Sequence, residues 1–512
     1  MLVTTSYQEN NTMSLEGSDS FEEKMDSKIG GLAHFYVLLL SVIVSVVSIL
    51  LPVVKEFSTV EQTQNLYTGL MMSKGVLPYN DIYATGGFLY YAVIALSYLL
   101  GSNLWLIVIH FLAYYISGRY LYKIITNLTQ SSEVAVAMNL LFYLFNLIVG
   151  FGGLYPIQWA FPFFLSMIWF LMSYFKNQIK DERFIVFGLM STIGLFIEPR
   201  LLIFLLIAIF AISIFNIKSK RFARGFYQIL CFIFGMILIG YVIGYFIFNE
   251  QLLAEYIAQP ILFHLTVLQT GHEELLVSVI VQVILVLFSG MYFGFVRGSK
   301  TELTAVKIIL MISIVVYSVY AIFSQSFNSY YLLFIIVQGL ILASLRLVKD
   351  YQLSLSSRTH RRKRRESLAK KFFYQYFIKT YFLPFILFIG LVGQLGYHYY
   401  LASQVIDERQ ELASFITNTT DKDDKIYVWD NQATVYLASE RQSLSKFSVP
   451  DLYTVTSKNK QSLEDSLLQD NAELLMFKKS IKLDQSIAKN ISRHYKQVKV
   501  DGVNSFIVYK LK

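Results

Sequence analysis

The chain has 512 residues, of which 55% are apolar and only 15% are charged, and its mean hydropathy is +0.50. Soluble domains carry about 25% charged residues, so this composition excludes a purely water-soluble enzyme. The single cysteine, Cys231, excludes an internal disulfide and a cysteine-rich metal site. The net charge of +9 does not indicate nucleic-acid binding, because the basic excess falls in alternate loops between apolar segments.

Apolar segments long enough to cross a membrane recur along most of the chain. The eleven segments cover residues 33–54, 103–122, 134–151, 157–175, 184–198, 200–217, 226–249, 275–296, 303–323, 328–347 and 378–400. A further apolar segment, 86–101, is shorter and could either span the membrane or lie partly embedded in it. The number of spans therefore depends on how this segment is assigned.

The distribution of Lys and Arg decides that assignment. If 86–101 does not cross, the basic loops share one side of the membrane, and the opposite loops before the C-terminal tail hold only Lys55, Lys74 and Arg200. By the positive-inside rule this arrangement predicts eleven spans, with the N-terminal tail 1–32 in the cytoplasm. Its polar, acidic composition predicts that the first span is a retained anchor and not a removed signal peptide.

The predicted fold is a polytopic α-helical membrane protein of the cytoplasmic membrane. Its transmembrane domain covers 33–400, with a first outer loop at 55–102 and a basic cytoplasmic loop at 348–377. The basic loop is expected to face anionic membrane lipid, and no nucleic-acid partner is predicted. The C-terminal region, 401–512, is then expected outside the cytoplasm.

The composition changes at residue 401 to a mixture of charges, which indicates a small soluble domain. The predicted helices cover 403–418, 460–470 and 484–493, and the predicted strands cover Lys425–Trp429, Glu473–Phe477, 495–501 and 504–511. Asp501-Gly502 is a hairpin turn signal between the last two strands. This alternation predicts an extracytoplasmic α/β domain, with a structural or acceptor-binding role rather than a catalytic one.

The first outer loop carries two carboxylates, Glu61 and Asp81. Glu61 is predicted near the start of an amphipathic helix whose apolar residues, Leu66, Tyr67, Leu70 and Met71, are expected to face the membrane surface. Both carboxylates also have purely structural interpretations. Ser58-x-x-Glu61 has the pattern of a capping box, and Asp81 is an ordinary turn residue.

The same loop contains a longer pattern. It reads Glu61-Gln62, then Gly75-Val76-Leu77-Pro78-Tyr79-Asn80-Asp81, then Gly87-Phe88-Leu89. This pattern resembles the first external loop of the GT-C glycosyltransferases, in particular the bacterial protein O-mannosyltransferase and aminoarabinose-transferase type. The resemblance implies a GT-C-like fold with 86–101 embedded and with Glu61 and Asp81 as catalytic residues. In that family a second acid stands at the position of Gln62 and a proline at that of Phe88.

Further candidate residues for substrate binding lie in other outer loops. Arg200 occupies a place where the family has a lysine near the lipid phosphate, and a guanidinium binds phosphate through paired hydrogen bonds. Its alternatives are an ion pair with Glu198 or interfacial snorkelling. Tyr155 and Gln158 form another outer turn, where Gln158 could either contact sugar hydroxyls or cap a span.

Two more candidates complete the predicted site. Tyr79 lies in the turn that ends at Asp81, and His272 lies in the outer loop 250–274. A divalent metal at His272 and the neighbouring acids is possible but not indicated, so no metal site and no cofactor are predicted.

The predicted function is transfer of a sugar from a polyprenyl-phosphate donor to an acceptor hydroxyl on the outer face of the membrane. The acceptor would be a cell-envelope glycan, a lipid or a protein. Glu61 is expected to act as general base, and Arg200 to stabilise charge on the departing lipid phosphate. A single displacement implies inversion at the anomeric carbon.

Two alternatives remain open at this point. A non-enzymatic flippase or transporter of lipid-linked sugars should show broken helices or charged groups near the midplane of the bilayer. A cell-wall polysaccharide polymerase or ligase should place basic and acidic site residues in later outer loops, and the loops 250–274 and 324–328 contain no Lys or Arg.

Overall fold

The structure is a computed structural model of the chain. It describes residues 31–54, 58–149, 153–263, 304–323, 332–356, 389, 392–393, 396, 399–400, 405–469 and 472–512. In these residues the chain is mostly helical and has a small sheet in the C-terminal region.

The helices before residue 405 form one packed layer. They are α1 (Gly31–Val54), α2 (Val60–Ser73), α3 (Phe88–Leu99), α4 (Trp105–Thr129), α5 (Ser132–Val149), α6 (Pro156–Phe175), α7 (Arg183–Ile197), α8 (Leu201–Lys218), α9 (Phe222–Asn249), α10 (Leu253–Ile257), α11 (Thr304–Phe323) and α12 (Leu333–Ser356). A short π-helical turn, Ala258–Leu262, follows α10. Helix α4 packs against α1, α5 and α6, and helix α7 packs against α6 and α9.

Five of the described helices are long and apolar enough to cross a membrane. Their apolar parts are Ala33–Leu50, Pro156–Phe175, Leu201–Lys218, Phe222–Asn249 and Thr304–Ala321. Shorter apolar helices are Phe88–Leu99, Ser132–Leu147, Arg183–Ile197 and Leu333–Leu345. These helices are compatible with a membrane protein, but they do not support the predicted number of eleven spans.

Two reasons explain why fewer helices than predicted are long and apolar enough to cross a membrane. Several predicted spans are too short or too polar as helices; α4, for example, carries Arg119 and Lys123 in its second half. The predicted spans 275–296 and most of 378–400 lie outside the described residues.

Helix α3 has 12 residues, which makes it about 18 Å long. It is therefore too short to cross a hydrocarbon core of about 30 Å by itself.

The C-terminal region folds as a small domain around a five-stranded sheet. Its elements are α13 (Ile406–Thr419), β1 (Lys425–Trp429), α14 (Thr434–Ser439), β2 (Gln442–Ser443), α15 (Pro450–Tyr453), α16 (Ser457–Gln469), β3 (Leu474–Lys478), α17 (Gln485–His494), β4 (Tyr495–Val498) and β5 (Phe506–Leu511). The strand order is β2-β1-β3-β5-β4, with β1 parallel to β2 and β3, and β5 antiparallel to β3 and β4. The domain is of the α/β kind that the alternation predicts.

Helix α2 lies on the face of the helical layer that contacts the C-terminal domain. Leu66 belongs to the apolar core of the helical layer. Tyr67, Leu70 and Met71 pack instead in a core that they share with strands β1 and β3. The prediction that all four apolar side chains face the membrane surface is therefore wrong, because the C-terminal domain covers the side of α2 that lipid was expected to cover.

Hydrogen bonds reinforce this contact. The Tyr67 hydroxyl accepts from the Ser443 backbone N–H at 2.8 Å and donates to the Arg441 carbonyl at 3.2 Å. The Ser448 hydroxyl donates to Gln64 Oε1 at 2.7 Å. The C-terminal domain is thus attached to α2 by both apolar packing and buried polar contacts.

Gly87, directly before α3, lets the backbone of the first loop pack closely against the end of α7. Its backbone N–H donates to the carbonyl of Ile197 at 3.1 Å. A Cβ atom at this position would overlap the carbonyl group of Phe196. The approach brings the first loop against the turn that holds Glu198 and Arg200.

We expect Gly87→Ala to lower the free energy of unfolding by about 1–3 kcal/mol, because the added methyl group has to displace backbone atoms. Gly244→Ala is the control: Gly244 lies in α9, and a Cβ there would meet nothing within 4 Å. Thermal unfolding of the two purified variants in detergent measures the difference. Equal midpoints would contradict the close packing of α3 on α7.

Candidate functional site

The start of α2 sets the position of Glu61. The helix is capped by Thr59, whose side chain accepts from the Gln62 backbone N–H at 3.4 Å, while Gln62 Oε1 accepts from the Thr59 backbone N–H at 2.8 Å. The capping box is therefore formed by Thr59 and Gln62. The alternative in which Ser58 and Glu61 form it is wrong by one residue, so the Glu61 carboxylate in the first turn is not a capping group.

The turn Gly153–Tyr155 holds the two first-loop helices in place. The Gln62 side chain donates from Nε2 to the Gly153 carbonyl at 2.6 Å. The Leu154 carbonyl accepts from Asn65 Nδ2 at 3.1 Å and from the Tyr90 hydroxyl at 2.6 Å. These contacts join residues of α2 and α3 to a loop that is far away in the sequence.

Tyr155 brings a phenol close to Glu61. Its hydroxyl shares a 2.8 Å hydrogen bond with Thr59 Oγ1, and its ring is buried. Burial raises the pKa of Tyr155 well above its usual value, and the negative charge of Glu61 raises it further. Tyr155 therefore stays protonated at neutral pH and can only donate or accept a hydrogen bond as a neutral phenol.

The C-terminal domain contributes a second buried phenol, Tyr453. Burial raises its pKa well above the usual value, and neighbouring Tyr91 and Glu61 raise it further, whereas a hydrogen bond with Thr85 acts in the opposite direction. Glu61 is thus within electrostatic range of phenols from both parts of the molecule. Nothing in the sequence of the C-terminal domain pointed to Tyr453.

Asp81 is occupied by its own turn. Its carboxylate accepts from the Leu77 backbone N–H at 3.1 Å and from Asn80 Nδ2 at 2.9 Å, and its backbone N–H donates to the Leu77 carbonyl. Tyr79 is buried in the same turn, with a positive φ of 73°, and its hydroxyl donates to the Gly86 carbonyl at 2.9 Å. The hydrogen bonds of both candidates described here are those of turn residues.

A second segment, the π-helical turn Ala258–Leu262, forms hydrogen bonds with this turn. Gln259, in the π-helical turn after α10, donates from Nε2 to the Tyr79 carbonyl at 2.5 Å and accepts from the Ala84 backbone N–H at 2.9 Å. Gln259 Nε2 also donates to Glu255 at 2.9 Å. π-Helical turns are frequent at functional sites, but a single glutamine in an irregular segment gave no sequence signal.

Arg200 forms an ion pair with Glu198, which was one of the two alternatives to phosphate binding. Its Nε and Nη2 atoms each donate to the carboxylate of Glu198 at 2.6 Å, and the two side chains are 10% and 1% exposed. The Tyr317 hydroxyl donates to the Arg200 carbonyl at 3.0 Å. Because Gly87 adjoins Ile197, this ion pair lies at the same end of the helical layer as α2 and α3.

Gln158 differs from the other buried amides described above. Its side chain in the first turn of α6 is fully buried, and neither its Nε2 nor its Oε1 has a hydrogen-bond partner in the described part of the chain. Leaving a buried polar atom unpaired costs about 1–3 kcal/mol. A buried amide with two such atoms is therefore a position where a polar ligand or water is expected.

One predicted site residue, His272, lies outside the described residues, as do the two acids that follow it and the outer loop 324–328. The described residues contain no group of three or more His, Cys, Asp or Glu side chains that could hold a metal ion.

Two family models match the chain. The first, described as "Putative competence-induced protein Ccs4 N-terminal domain", matches residues 22–403, and the second, described as the Ccs4 C-terminal domain, matches residues 406–512. The second match begins at the first residue of α13, Ile406. No curated protein matches the chain.

We expect Thr59→Val to lower the free energy of unfolding by about 1–2 kcal/mol, because it removes the helix cap and the hydrogen bond to Tyr155. Ser58→Ala is the control, since the contact of Ser58 with Gln432 uses its backbone carbonyl. Thermal unfolding compares the two. If Ser58→Ala were the more destabilising change, Thr59 would not be the cap.

Proposed function

We propose that this chain, which belongs to the competence-induced Ccs4 family, is a membrane glycosyltransferase. It would transfer a sugar from a polyprenyl-phosphate donor to an acceptor hydroxyl of a cell-envelope glycan, a lipid or a protein. The family descriptions name no reaction, so the proposal rests on the residues around α2 and on the resemblance of the first loop to the GT-C type. Its site would face the outside of the cytoplasmic membrane.

The position of Glu61 carries this proposal. Thr59 and Gln62 cap α2 between them, so the cap does not require the Glu61 carboxylate. Glu61 sits in the first turn beside Tyr155 and within range of Tyr453. A carboxylate in the first turn of a helix, next to buried phenols from two parts of the chain, is suited to act as a general base.

In the proposed reaction Glu61 accepts the proton of the acceptor hydroxyl as its oxygen attacks the anomeric carbon. The new bond forms from that carbon to the acceptor oxygen, and the bond to the lipid phosphate breaks, with inversion of configuration. The proton is then lost from Glu61 to water. Arg200, held by Glu198, would stabilise the charge on the departing phosphate.

The other candidates support this arrangement in different ways. Gln158 would donate to and accept from sugar hydroxyls, which would satisfy its two unpaired amide atoms. Tyr155 would contribute a neutral phenol beside Glu61. Asp81 and Tyr79 would keep the turn of the first loop in shape through their local hydrogen bonds.

We expect Glu61→Gln to reduce sugar transfer by roughly a hundredfold or more, the effect of removing a general base. The helix should still form, because both bonds of the capping box remain. Glu133→Gln, the same chemical change at an exposed position in the first turn of α5, is the control and should retain full activity. The measurement is transfer from a labelled polyprenyl-phosphate sugar in membranes with matched protein levels.

Unchanged transfer in Glu61→Gln would remove Glu61 from the mechanism. If the wild type transferred no sugar from such donors, the glycosyltransferase proposal would be wrong. Flipping of lipid-linked sugars, the activity of the alternative transporter, would then be the reaction to measure.

We expect Gln158→Leu to weaken substrate binding without destabilising the fold. The wild-type amide makes no hydrogen bond that leucine would lose among the described residues, so the unfolding midpoint should stay the same or rise. The KM for sugar transfer should increase. Gln259→Leu is the contrast, because it removes three hydrogen bonds and should lower the midpoint. A large loss of stability in Gln158→Leu would show that Gln158 is a structural residue.

A further inference from the structure

The loop between β1 and α14, residues 430–433, joins the C-terminal domain to the start of α2. Gln432 Nε2 donates to the carbonyl of Ser58 at 2.9 Å. The Ala433 backbone N–H donates to Thr63 Oγ1 at 3.1 Å. The β1–α14 loop therefore holds the start of α2 at two points.

These two points lie on either side of Glu61 in the sequence. Between them, Thr59 and Gln62 are held by the turn Gly153–Tyr155 of the helical layer. The first turn of α2 is thus fixed by hydrogen bonds from the helical layer and from the C-terminal domain. The direction in which Glu61 projects depends on both sets of contacts.

Arg409 of α13 binds along the whole β1–α14 loop. Its Nε and Nη2 atoms donate to the two carboxylate oxygens of Asp430 at 2.7 and 3.2 Å. Nη2 also donates to Asn431 Oδ1 at 2.8 Å, and Nη1 donates to Gln432 Oε1 at 2.9 Å. One guanidinium group thus binds three consecutive residues of the loop.

The contacts of Arg409 explain why the residue is an arginine. The side chains of Arg409 and Asp430 are only 4% and 0% exposed, and charged side chains are seldom buried unless they are paired. A guanidinium has five N–H donors in a fixed plane, so it can bind a carboxylate and still direct other donors to neighbouring groups. A lysine would supply the charge without this geometry. The ion pair alone therefore does not account for the contacts of Arg409.

Gln432 links Arg409 to α2 through the two ends of its amide. Its oxygen accepts from the guanidinium, and its nitrogen donates to the carbonyl of Ser58. Since only the amide oxygen can accept from Arg409, the nitrogen is the atom that faces Ser58. A shift of Arg409 would be passed through this amide to the residue that precedes the cap of α2.

We propose that Arg409 is a positioning residue for Glu61. It acts through the β1–α14 loop, which holds the first turn of α2, and not by contact with the substrate. This inference rests on the proposed function, in which Glu61 is the general base. It gives the C-terminal domain a part in the reaction that differs from acceptor binding.

The expected effect is on the rate of the chemical step. A general base has to lie about 2.6–3.2 Å from the group whose proton it removes, and a misplacement of about 1 Å can cost about a hundredfold in rate. Arg200 and Gln158, which would bind the donor, belong to other elements. Loss of positioning should therefore lower kcat and leave the KM for the donor close to that of the wild type.

Gln432→Glu separates the two contacts of the linking residue. Glutamate keeps an oxygen that accepts from Arg409 but has no N–H to donate to the Ser58 carbonyl. Asn431→Asp is the matched control, because Asn431 also accepts from Arg409 through an oxygen that aspartate keeps. We expect Gln432→Glu to lower kcat by about tenfold with little change in KM, and Asn431→Asp to leave kcat close to the wild-type value.

Backbone hydrogen exchange of the full-length protein in detergent measures the same contact without an activity assay. The amides of residues 60–66 should exchange about tenfold faster in Gln432→Glu, whereas those of β1 should not change if the domain stays folded. Gln432→Met repeats the measurement without an added charge. Unchanged exchange at the start of α2 in both variants would overturn the proposal.

Arg409→Lys tests whether Arg409 acts through Gln432. The variant keeps a positive charge opposite Asp430 but cannot bind three loop residues at once. It should accelerate exchange at the start of α2 about as much as Gln432→Glu, and the double variant should add little to either single change. Fully additive effects would show that Arg409 does not act through Gln432 and would overturn the proposal.

Failure of this inference and failure of the proposed function give different results. If exchange at the start of α2 rises in Gln432→Glu but kcat stays at the wild-type value, Arg409 does not position Glu61. If the wild type transfers no sugar while exchange rises as expected, Arg409 still fixes the start of α2. The role of Glu61 as the base for sugar transfer is then what fails.

Discussion

The turn Gly153–Tyr155 is the constraint on which the candidate site depends. Its three carbonyls accept hydrogen bonds from the side chains of Gln62, Asn65 and Tyr90 and from the backbone N–H of Gln158. An unpaired buried carbonyl would be costly, so the turn and the side chains of α2 and α3 fix one another. The position of Glu61 follows from that mutual arrangement.

The C-terminal domain completes the same arrangement from the other side. Tyr67 and Gln64 of α2 are held by backbone and side-chain groups of the domain, and Tyr453 reaches toward Glu61. Helix α2 is therefore buried along most of its length. Glu61 therefore lies where the helical layer and the C-terminal domain meet.

The buried polar groups fall into two kinds, which are ion pairs and groups with atoms that have no hydrogen-bond partner in the described residues. Glu198 with Arg200 and Asp430 with Arg409 form close ion pairs that satisfy one another. Gln158, Ser48 and His110 contain buried atoms without partners in the described residues. The paired groups are explained by the fold itself. The buried amide of Gln158 is where we place a polar ligand in the proposed reaction.

The sequence alone determined the apolar helices and most elements of the C-terminal domain, because hydrophobic periodicity and turn residues act over a few positions; strand β1 has the predicted bounds. It did not indicate the short elements α14, β2 and α15. It did not determine the number of spans, the cap of α2 or the side of α2 that is covered. Those depend on contacts such as Gln62 with Gly153 and Gln64 with Ser448, which are 91 and 384 residues apart. Only the tertiary structure brings such pairs together, since no local pattern encodes a partner at that distance.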